Sequence, residues 1–546
     1  MTANSNLETA NSSANGTTQD FPYDLAGNTL INSGTAVNAT DVPNLVQVQG
    51  LIVGGAAPAL AGANGSSFVG FLQSGTGAVA RTVQDKLRDT VNAKDFGVVA
   101  DGSTDDYAAM QKAITYAAGL EAELHMPPGD IYLSAGLVHS AGALCIRGSE
   151  AGSQGTRLLI RANAACITIS AQCTIENIGI IGENNPAKAN QAGMLLTDGT
   201  QNVYVRSVTF DGCYDSIQLV DTVFFCYFEK IRWFSSVRNH VRGTGTSAPG
   251  YAVAFVQCQG TSPTQNGDCL YFENAGSLVF ADCAFSPATA TGRCLRIVSN
   301  ASLSGIHQFS NTVFEGSVLE AVRIEGSTFA PIKYCYFSNC YFNQSGTGAD
   351  AVTLIYVDGI HFTNSYFSGT GAAISFAGNV KRLNVVNADL PGGGSVAMFR
   401  ALPGATIDGV TLANINYTGG NRFFDSSVVT AGNVLRVTIS GGRIGTHASP
   451  INTNVVDASQ VRCTAVGNSQ TRNGGIAMFN GGPSLFAIPH GLLGTPTKFY
   501  AVSNSPDAGN AEIREVTADS GNVYVQCKAG ATAGTNNVKW SWSAEV

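Results

Sequence analysis

Residues 336–348 read YFSNCYFNQSGTG, and the same phrase recurs on either side, as QFSNTVFEG at 308–316 and HFTNSYFSGTG at 361–371. Each copy runs aromatic, Ser or Thr, Asn, then a Phe three residues beyond the Asn and a turn. Self-similarity at periods of roughly 20–50 residues marks a solenoid, in which no unit buries its apolar face alone. Extending the alignment puts Asn311, Asn339, Asn364, Asn387 and Asn414 in one column, with Asp282 one unit earlier. Phe285, Phe314, Phe342, Phe367, Leu390 and Tyr417 follow three residues on. A second strand aligns ahead of this one: DSIQLV (215–220), DCLYFE (268–273), RCLRIV (293–298), EAVRIE (320–325), DAVTLI (350–355) and AAISFA (372–377). The third and fifth residues of each are apolar, as a strand with one buried face requires. Amides stacked one strand spacing apart, about 4.8 Å, can hydrogen-bond along the column while the aromatics stack into a core. The expected fold is all-β: a right-handed parallel β-helix of about a dozen turns, a rod on the order of 60 Å long. A propeller needs longer periods of four strands per blade.

Composition agrees with that reading. Charged residues make up 12% of the 546, and Gly alone contributes 63. Such a chain suits turn-rich β structure better than helices clothed in Lys and Glu. The net charge is −8 and there is no Lys/Arg run, which argues against nucleic-acid binding, because that rests on phosphate neutralisation. No apolar run approaches the roughly 18–20 residues of a membrane span, and the polar start MTANSNLETANSSANGTTQD lacks the parts of a secretory signal. Membrane insertion is not expected. The 13 cysteines form no CxxC pair, so they are expected to be reduced and packed as small apolar residues, with no zinc site. No cofactor motif is evident, and the Gly-x-Gly strings read as turns.

The chain divides into four expected regions. Residues 1–80 form a Gly-, Ala-, Ser- and Asn-rich N-terminal region, and 81–125 a linker and capping helix. The helix is expected over 105–118, with Asp105 and Asp106 at its N-terminus and Gly119 as its stop. A calcium site at Asp101, Asp105 and Asp106 is the alternative. The β-helix takes 126–472, and 473–546 reads as a small β-sandwich serving as a trimerisation module. Trp540 and Trp542 alternate with Ser and share one face, suited to a core or subunit interface.

The stretch RTVQDKLRDTVNAKDFGVVADGSTDDYAAMQKAI (81–114), followed by HMPPGDIYL (125–133), resembles the start of the pectate-lyase-like β-helix of bacteriophage tailspikes. The family pattern is kept at Asp85, Lys86, Leu87, Asp95, Phe96, Gly97, Asp101, Gly102, Asp105, Asp106, Ala109, Ala113 and Ile114. It departs at Val98, where Ala is usual, and in Pro128-Gly129-Asp130-Ile131-Tyr132, which adds a residue before Tyr. GFLQSGTGAVA (70–80) is similar to the junction after a particle-binding segment, and IPHGLLGTPTKFYAV (488–502) to terminal modules of phage tail proteins. These stretches cover about 150 residues. The resemblance implies a homotrimeric virion spike, made in the host cytoplasm and joined to the phage tail or baseplate by its N-terminal region. It would act at the cell surface, where its shaft binds and usually cleaves a bacterial polysaccharide (O-antigen or capsule). No catalytic residue carries over with it.

Candidate chemistry comes from the repeat alignment. Between inward residues lie outward Tyr271, Arg296 and Arg323 in one row, then Glu273, Val298 and Glu325 in the next. Glu273 and Glu325 are two turns apart, roughly 9–10 Å between Cα atoms. An inverting glycosidase places its carboxyls about 6.5–9.5 Å apart and a retaining one about 5–5.5 Å, so this spacing favours inversion. One Glu would protonate the leaving oxygen, the other would activate water, and Arg296 and Arg323 would hold an acidic sugar. A plain ladder of surface salt bridges is the competing reading. Asp268, Arg293, Glu320 and Asp350 form a second outward cluster at the leading corner, for substrate contact or as solvated corner charges. Asp211, Asp215 and Glu315 lie near turns, and Asp282 reads as structural. His240, His307 and His361 are scattered, with no readable Ser-His-Asp constellation. Hydrolysis, β-elimination of a uronate chain and non-catalytic adhesion all remain open.

Overall fold

A computed structural model describes residues 60–546 except 153, 247–249, 262–266, 288–291, 302–304, 391–396, 418–421, 427–428, 430–432, 445–450, 453–460, 465–471, 481–483, 491, 493–494, 531–532, 535–536 and 546. Much of the expected N-terminal region thus lies outside the described residues. The chain separates into two units, Met1–Asp89 and Thr90–Val546.

In the first unit, a two-residue ladder pairs Gly70–Phe71 with Arg81–Thr82, and a short helix follows at Val83–Leu87. A reciprocal capping box starts that helix. The Asp85 N–H donates to Thr82 Oγ1 at 3.0 Å, and the Thr82 N–H donates to the Asp85 carboxylate at 3.3 Å.

The second unit is built around a parallel solenoid of about 11 turns, with three rows of short strands. In one row, Asp215–Val220, Asn239–Thr244, Leu270–Glu273, Leu295–Val298 and Val322–Glu325 pair in succession. A second runs through Tyr227–Glu229, Val253–Val256, Leu278–Ala281 and His307–Ser310 to Ile332–Ser338. A third runs through Arg232–Trp233, Gln259–Thr261, Ala284–Ser286 and Val313–Ser317 to Tyr341–Gln344. The turn Asn239–Thr244 escapes the sequence alignment because its second inward position is Gly243. A Cβ there would stand 2.7 Å from the Phe272 ring, which fills the space.

The core is two aromatic columns. Phe228, Phe255, Phe280, Phe309, Phe337 and Phe362 stack face to face in the second row, with centroids 4.6–5.3 Å apart. Phe285, Phe314, Phe342 and Phe367 stack in the third at 4.8–6.3 Å. Between these columns the chain turns on a single residue with positive φ: Asp282 (55°), Asn311 (48°), Asn339 (54°), Asn364 (50°), Asn387 (54°) and Asn414 (52°). Asn and Asp tolerate this left-handed conformation best among residues with a Cβ. Their side chains also form the expected ladder: Asn311 Nδ2 donates to Asp282, Asn339 to Asn311, Asn387 to Asn364 and Asn414 to Asn387, at 3.0–3.2 Å. The ladder lies on the outer surface of the corner rather than inside it. The turn throws the side chain outward while the next residue points in.

That next residue explains several cysteines. Cys258, Cys283 and Cys340 follow the turn residue directly, where a small group fits the corner, and each thiol lies within 3.2–3.6 Å of carbonyl oxygens. Cys269 and Cys294 occupy the corner before the first row. The described cysteines are free, and burial pushes the Cys340 and Cys213 thiols up to about 12, which makes them poor nucleophiles.

The capping helix runs over Tyr107–Leu120 and buries Met110, Ala113, Ile114, Ala117 and Ala118 on the first coils. It starts two residues later than expected because the acids serve the preceding loop. Asp106 accepts from the Val99 and Ala100 N–H groups at 2.8 and 3.0 Å. Asp105 accepts from Tyr107 N and Ser134 Oγ, and Asp101 from Ser103 N and Thr104 N. The helix passes through Gly119 and stops where Glu121 turns left-handed. Turn chemistry engages all three acids.

Two three-stranded antiparallel sheets form the C-terminal module. In one, Val538–Glu545 lies between Arg472–Phe479 and Lys498–Ser503; in the other, Asn522–Cys527 lies between Leu485–Pro489 and Ile513–Ala518. Trp540 and Trp542 are buried in its core with Phe486, Ile488 and Val525.

Two core histidines give an acid-stability prediction. His240 stacks on Trp233 at 5.7 Å in space left by Gly260, and His307 is fully buried in the second row. Burial lowers them to about 3 and about 4 from the ordinary 6.5. The folded chain therefore disfavours their protons relative to the unfolded one. Their contribution to stability is complete above about pH 6.5 and falls progressively as pH drops toward 4. Replacing His307 with Gln should flatten that part of the denaturation-midpoint-versus-pH curve.

Candidate functional site

The strand register places the expected acids as the sequence alignment has them. Arg242, Tyr271, Arg296 and Arg323 occupy consecutive rungs of one outward row. Glu273, Val298 and Glu325 occupy the adjoining row. Arg242 and Arg296 sit over the two sides of the Tyr271 environment, 4.7 and 5.8 Å from its centroid. The ring is thus fixed by cation–π contact in a half-buried setting.

The two glutamates differ in their partners. Glu325 accepts from Arg323 Nε at 2.9 Å and Arg296 at 3.2 Å. Burial pushes its carboxyl up, but the hydrogen bonds and charges of Arg323 and then Arg296 outweigh it and hold the group below the ordinary range. Glu273 accepts from Asn300 Nδ2 at 3.0 Å and forms no ion pair among the described residues. One carboxyl is locked in the ionised form beside two cations, while the other has a neutral amide partner.

The corner cluster is a chain of ion pairs. Arg293 bridges Asp268 (3.4 Å) and Glu320 (3.1 Å), and Arg323 joins Glu320 (2.9 Å) to Glu325. Asp350 stands apart, held by Arg400 at 2.8 Å and by the Ser375 hydroxyl. Asp268 is nearly buried, and desolvation raises its carboxyl despite Arg293. Glu320 is also desolvated, yet the charge of Arg293 and the hydrogen bond from Arg323 bring it below its ordinary value. Asp215, near a turn in the sequence, is fully buried and paired with Arg238. Asp282 accepts from Asn311 as a rung of the ladder.

A groove of about 700 Å³ lies elsewhere, over the corner between the second and third rows. Lys230, Arg232, Asp211 and Phe234 line it. Phe234 is 49% exposed, and Arg232 is exposed without an ion pair among the described residues. Asp211 accepts from Ser235 Oγ at 2.5 Å. In the sequence Asp211 is merely an acid near a turn; only the three-rung neighbourhood places it beside two cations and an open ring. A second groove of about 300 Å³ is lined by Tyr334, Tyr336, His361, Arg382 and Asn384, with Tyr336 stacked on His361 at 4.8 Å. Among the described residues there is no group of three or more His, Cys, Asp or Glu placed to hold a metal ion.

Comparison with known proteins agrees with this architecture. Residues 90–149 match the family described as rhamnogalacturonase A/epimerase, pectate lyase-like. Over 95 residues the chain is 36% identical to the tail spike protein of Shigella phage Sf6, covering 16% of this chain and 15% of that relative. The solenoid superposes on tailspike protein 3 of bacteriophage CBA120 with a TM-score of 0.56 at 14% identity, over 78% of this chain and 69% of that one. The chain is thus similar to tailspikes and to pectate-lyase-like proteins, with which it shares the β-helix fold. A tailspike mutant of E. coli bacteriophage HK620, in complex with a hexasaccharide, matches with a TM-score of 0.54 and 13% identity, over 90% of this chain and 99% of that one. At such identities the structural matches establish the shared fold. The tailspike-like segment matched in sequence spans only a small part of the Sf6 protein.

Proposed function

We propose that this chain is a virion tailspike that binds a bacterial surface polysaccharide and hydrolyses it within the chain. The proposal rests chiefly on one observation: on a fold shared with tailspikes, a solvent-facing sheet carries two carboxyls in contrasting surroundings beside arginines and a tyrosine. Glu325, held ionised by Arg323 and Arg296, is the base that activates water. Glu273, with its neutral partner Asn300, is the acid that protonates the leaving oxygen. Tyr271, Arg296 and Arg323 position the sugar, the linked Asp268, Arg293 and Glu320 brace the corner beside them, and Asp350, held by Arg400, offers a further polymer contact. The N-terminal region to about residue 80 joins the particle. The module from about residue 473 supports a homotrimer, and the spike acts outside the host cell.

Incubation with purified host polysaccharide tests this reading. New reducing ends without unsaturated-uronate absorbance are expected. That absorbance would instead indicate β-elimination, and an intact but bound polymer an adhesin.

A further inference from the structure

The Asn ladder does not begin at Asp282. The strand register carries the same left-handed corner down through Gln257, Lys230 and Ser207 to Asn177. All keep the conformation, with φ of 54°, 55°, 52° and 58°. The backbone bonds are kept as well, since Lys230 N donates to Val256 O and Gln257 N to Ala281 O at 3.0 and 2.9 Å. The shape of the corner is therefore constant from Asn177 to Asn414, whereas the residue type is not. Ser, Lys and Gln are poorly suited to positive φ, unlike the Asn that stands at most other rungs. Lys230 and Gln257 also break the amide ladder. Strain held on a uniform scaffold is a pointer to function.

The three exceptions coincide with the 700 Å³ groove, for Ser207, Lys230 and Gln257 all line it. Two residues along the same strands stands Arg232, and beyond that Asp211 and Phe234. Lys230 has one weak carboxylate partner, Glu229 at 3.3 Å, and Arg232 has none among the described residues. Gln257 is exposed and donates no described side-chain hydrogen bond. Two cations, a free amide and an open ring face flank one carboxylate. That set matches a pyranose carrying a negative substituent: the ring packs on Phe234, hydroxyls meet Asp211 and Gln257, and the anion meets Lys230 and Arg232.

We infer that the groove over Ser207, Lys230 and Gln257 is a docking site for an anionic sugar residue, carboxylate- or phosphate-bearing, of the surface polysaccharide, separate from the Glu273/Glu325 face. This rests on the glycan-binding reading above. It adds that the solenoid gave up ladder residues at these rungs to hold the polymer.

Restoring the ladder is the test. In Lys230→Asn/Gln257→Asn, both rungs regain the preferred residue, so the thermal midpoint is expected to rise by a few degrees. Binding should fall at least tenfold. Arg232→Ala, outside the ladder, should weaken binding similarly with the midpoint unchanged. Binding is read by calorimetry against bacterial oligosaccharides bearing uronate, phosphate or neither, so a chain that cleaves nothing still reports. Loss confined to uronate or to phosphate ligands names the anion. Unchanged affinity in all variants, wild-type binding only to neutral members, or a lowered midpoint in the double variant would overturn the inference. If the wild type binds no member of the panel, the glycan reading itself fails with it.

Discussion

Glu325→Gln and Glu273→Gln are each expected to slow polysaccharide cleavage by about 10²–10⁴-fold, the usual worth of a positioned acid or base, with glycan affinity changed only a few-fold. The two variants should differ in a second respect. Glu325 ties Arg323 and Arg296 together, so its neutralisation releases Arg296, leaves Arg323 on Glu320 alone, and should also raise KM. Glu273 has only Asn300, so its removal should act on kcat alone. A purely structural role for Glu325 predicts the KM change and a lower melting point without the kcat loss. The pH profile adds a further check. Glu325 must be ionised to act as base, and its arginines hold it below the ordinary 4.5. The acid limb of the rate profile is thus expected below pH 4.5. Full activity in both variants would move the cleavage site off this face.

The sequence was most readable where geometry forces the residue. Asn339 repeats because a corner at positive φ tolerates few side chains, and Phe337 and Phe342 repeat because each must face its own kind above and below. Counting outward from those columns was enough to put Glu273 and Glu325 on one face. What could not be read was pairing across rungs. The link from Arg293 to both Asp268 and Glu320 depends on rotamers of long side chains, which alternation leaves free. Coils where one residue does another's work were hidden as well. Gly243 and Gly260 leave inward gaps filled by Phe272 and His240, so their strands look too weakly apolar to join the repeat. Asp211 is equally hard to place from sequence, because the corner of its strand is Ser207 rather than the Asn that marks the later turns.

The largest effect on stability is expected at Phe337, for which Phe337→Ala should cost about 3–5 kcal/mol. The ring is fully buried and lies between Phe309 at 4.6 Å and Phe362 at 4.8 Å, with its face nearly parallel to both. Phe314 and Phe342 of the other column meet it at 72° and 66°. Removing it opens a void with stiff walls, because Phe309 is held by Phe280 and Phe362 by Phe342 and Phe367, so neither collapses inward without giving up those contacts. Phe337→Leu keeps most of the volume and should cost roughly 1 kcal/mol. A solenoid couples chiefly to nearest neighbours, so the damage should divide the structure. Chemical denaturation of the alanine variant is expected to show two transitions where the parent shows one, with hydrogen exchange fastest in the coils bearing Phe309 and Phe362. Asn339→Ala, two residues away but on the outside of the corner, gives up one ladder bond and suits the positive φ less well, for about 1–2 kcal/mol. If the alanine variant at 337 lost no more than the one at 339, the stacked rings would not be what holds successive coils together, and the backbone ladder would have to carry that role.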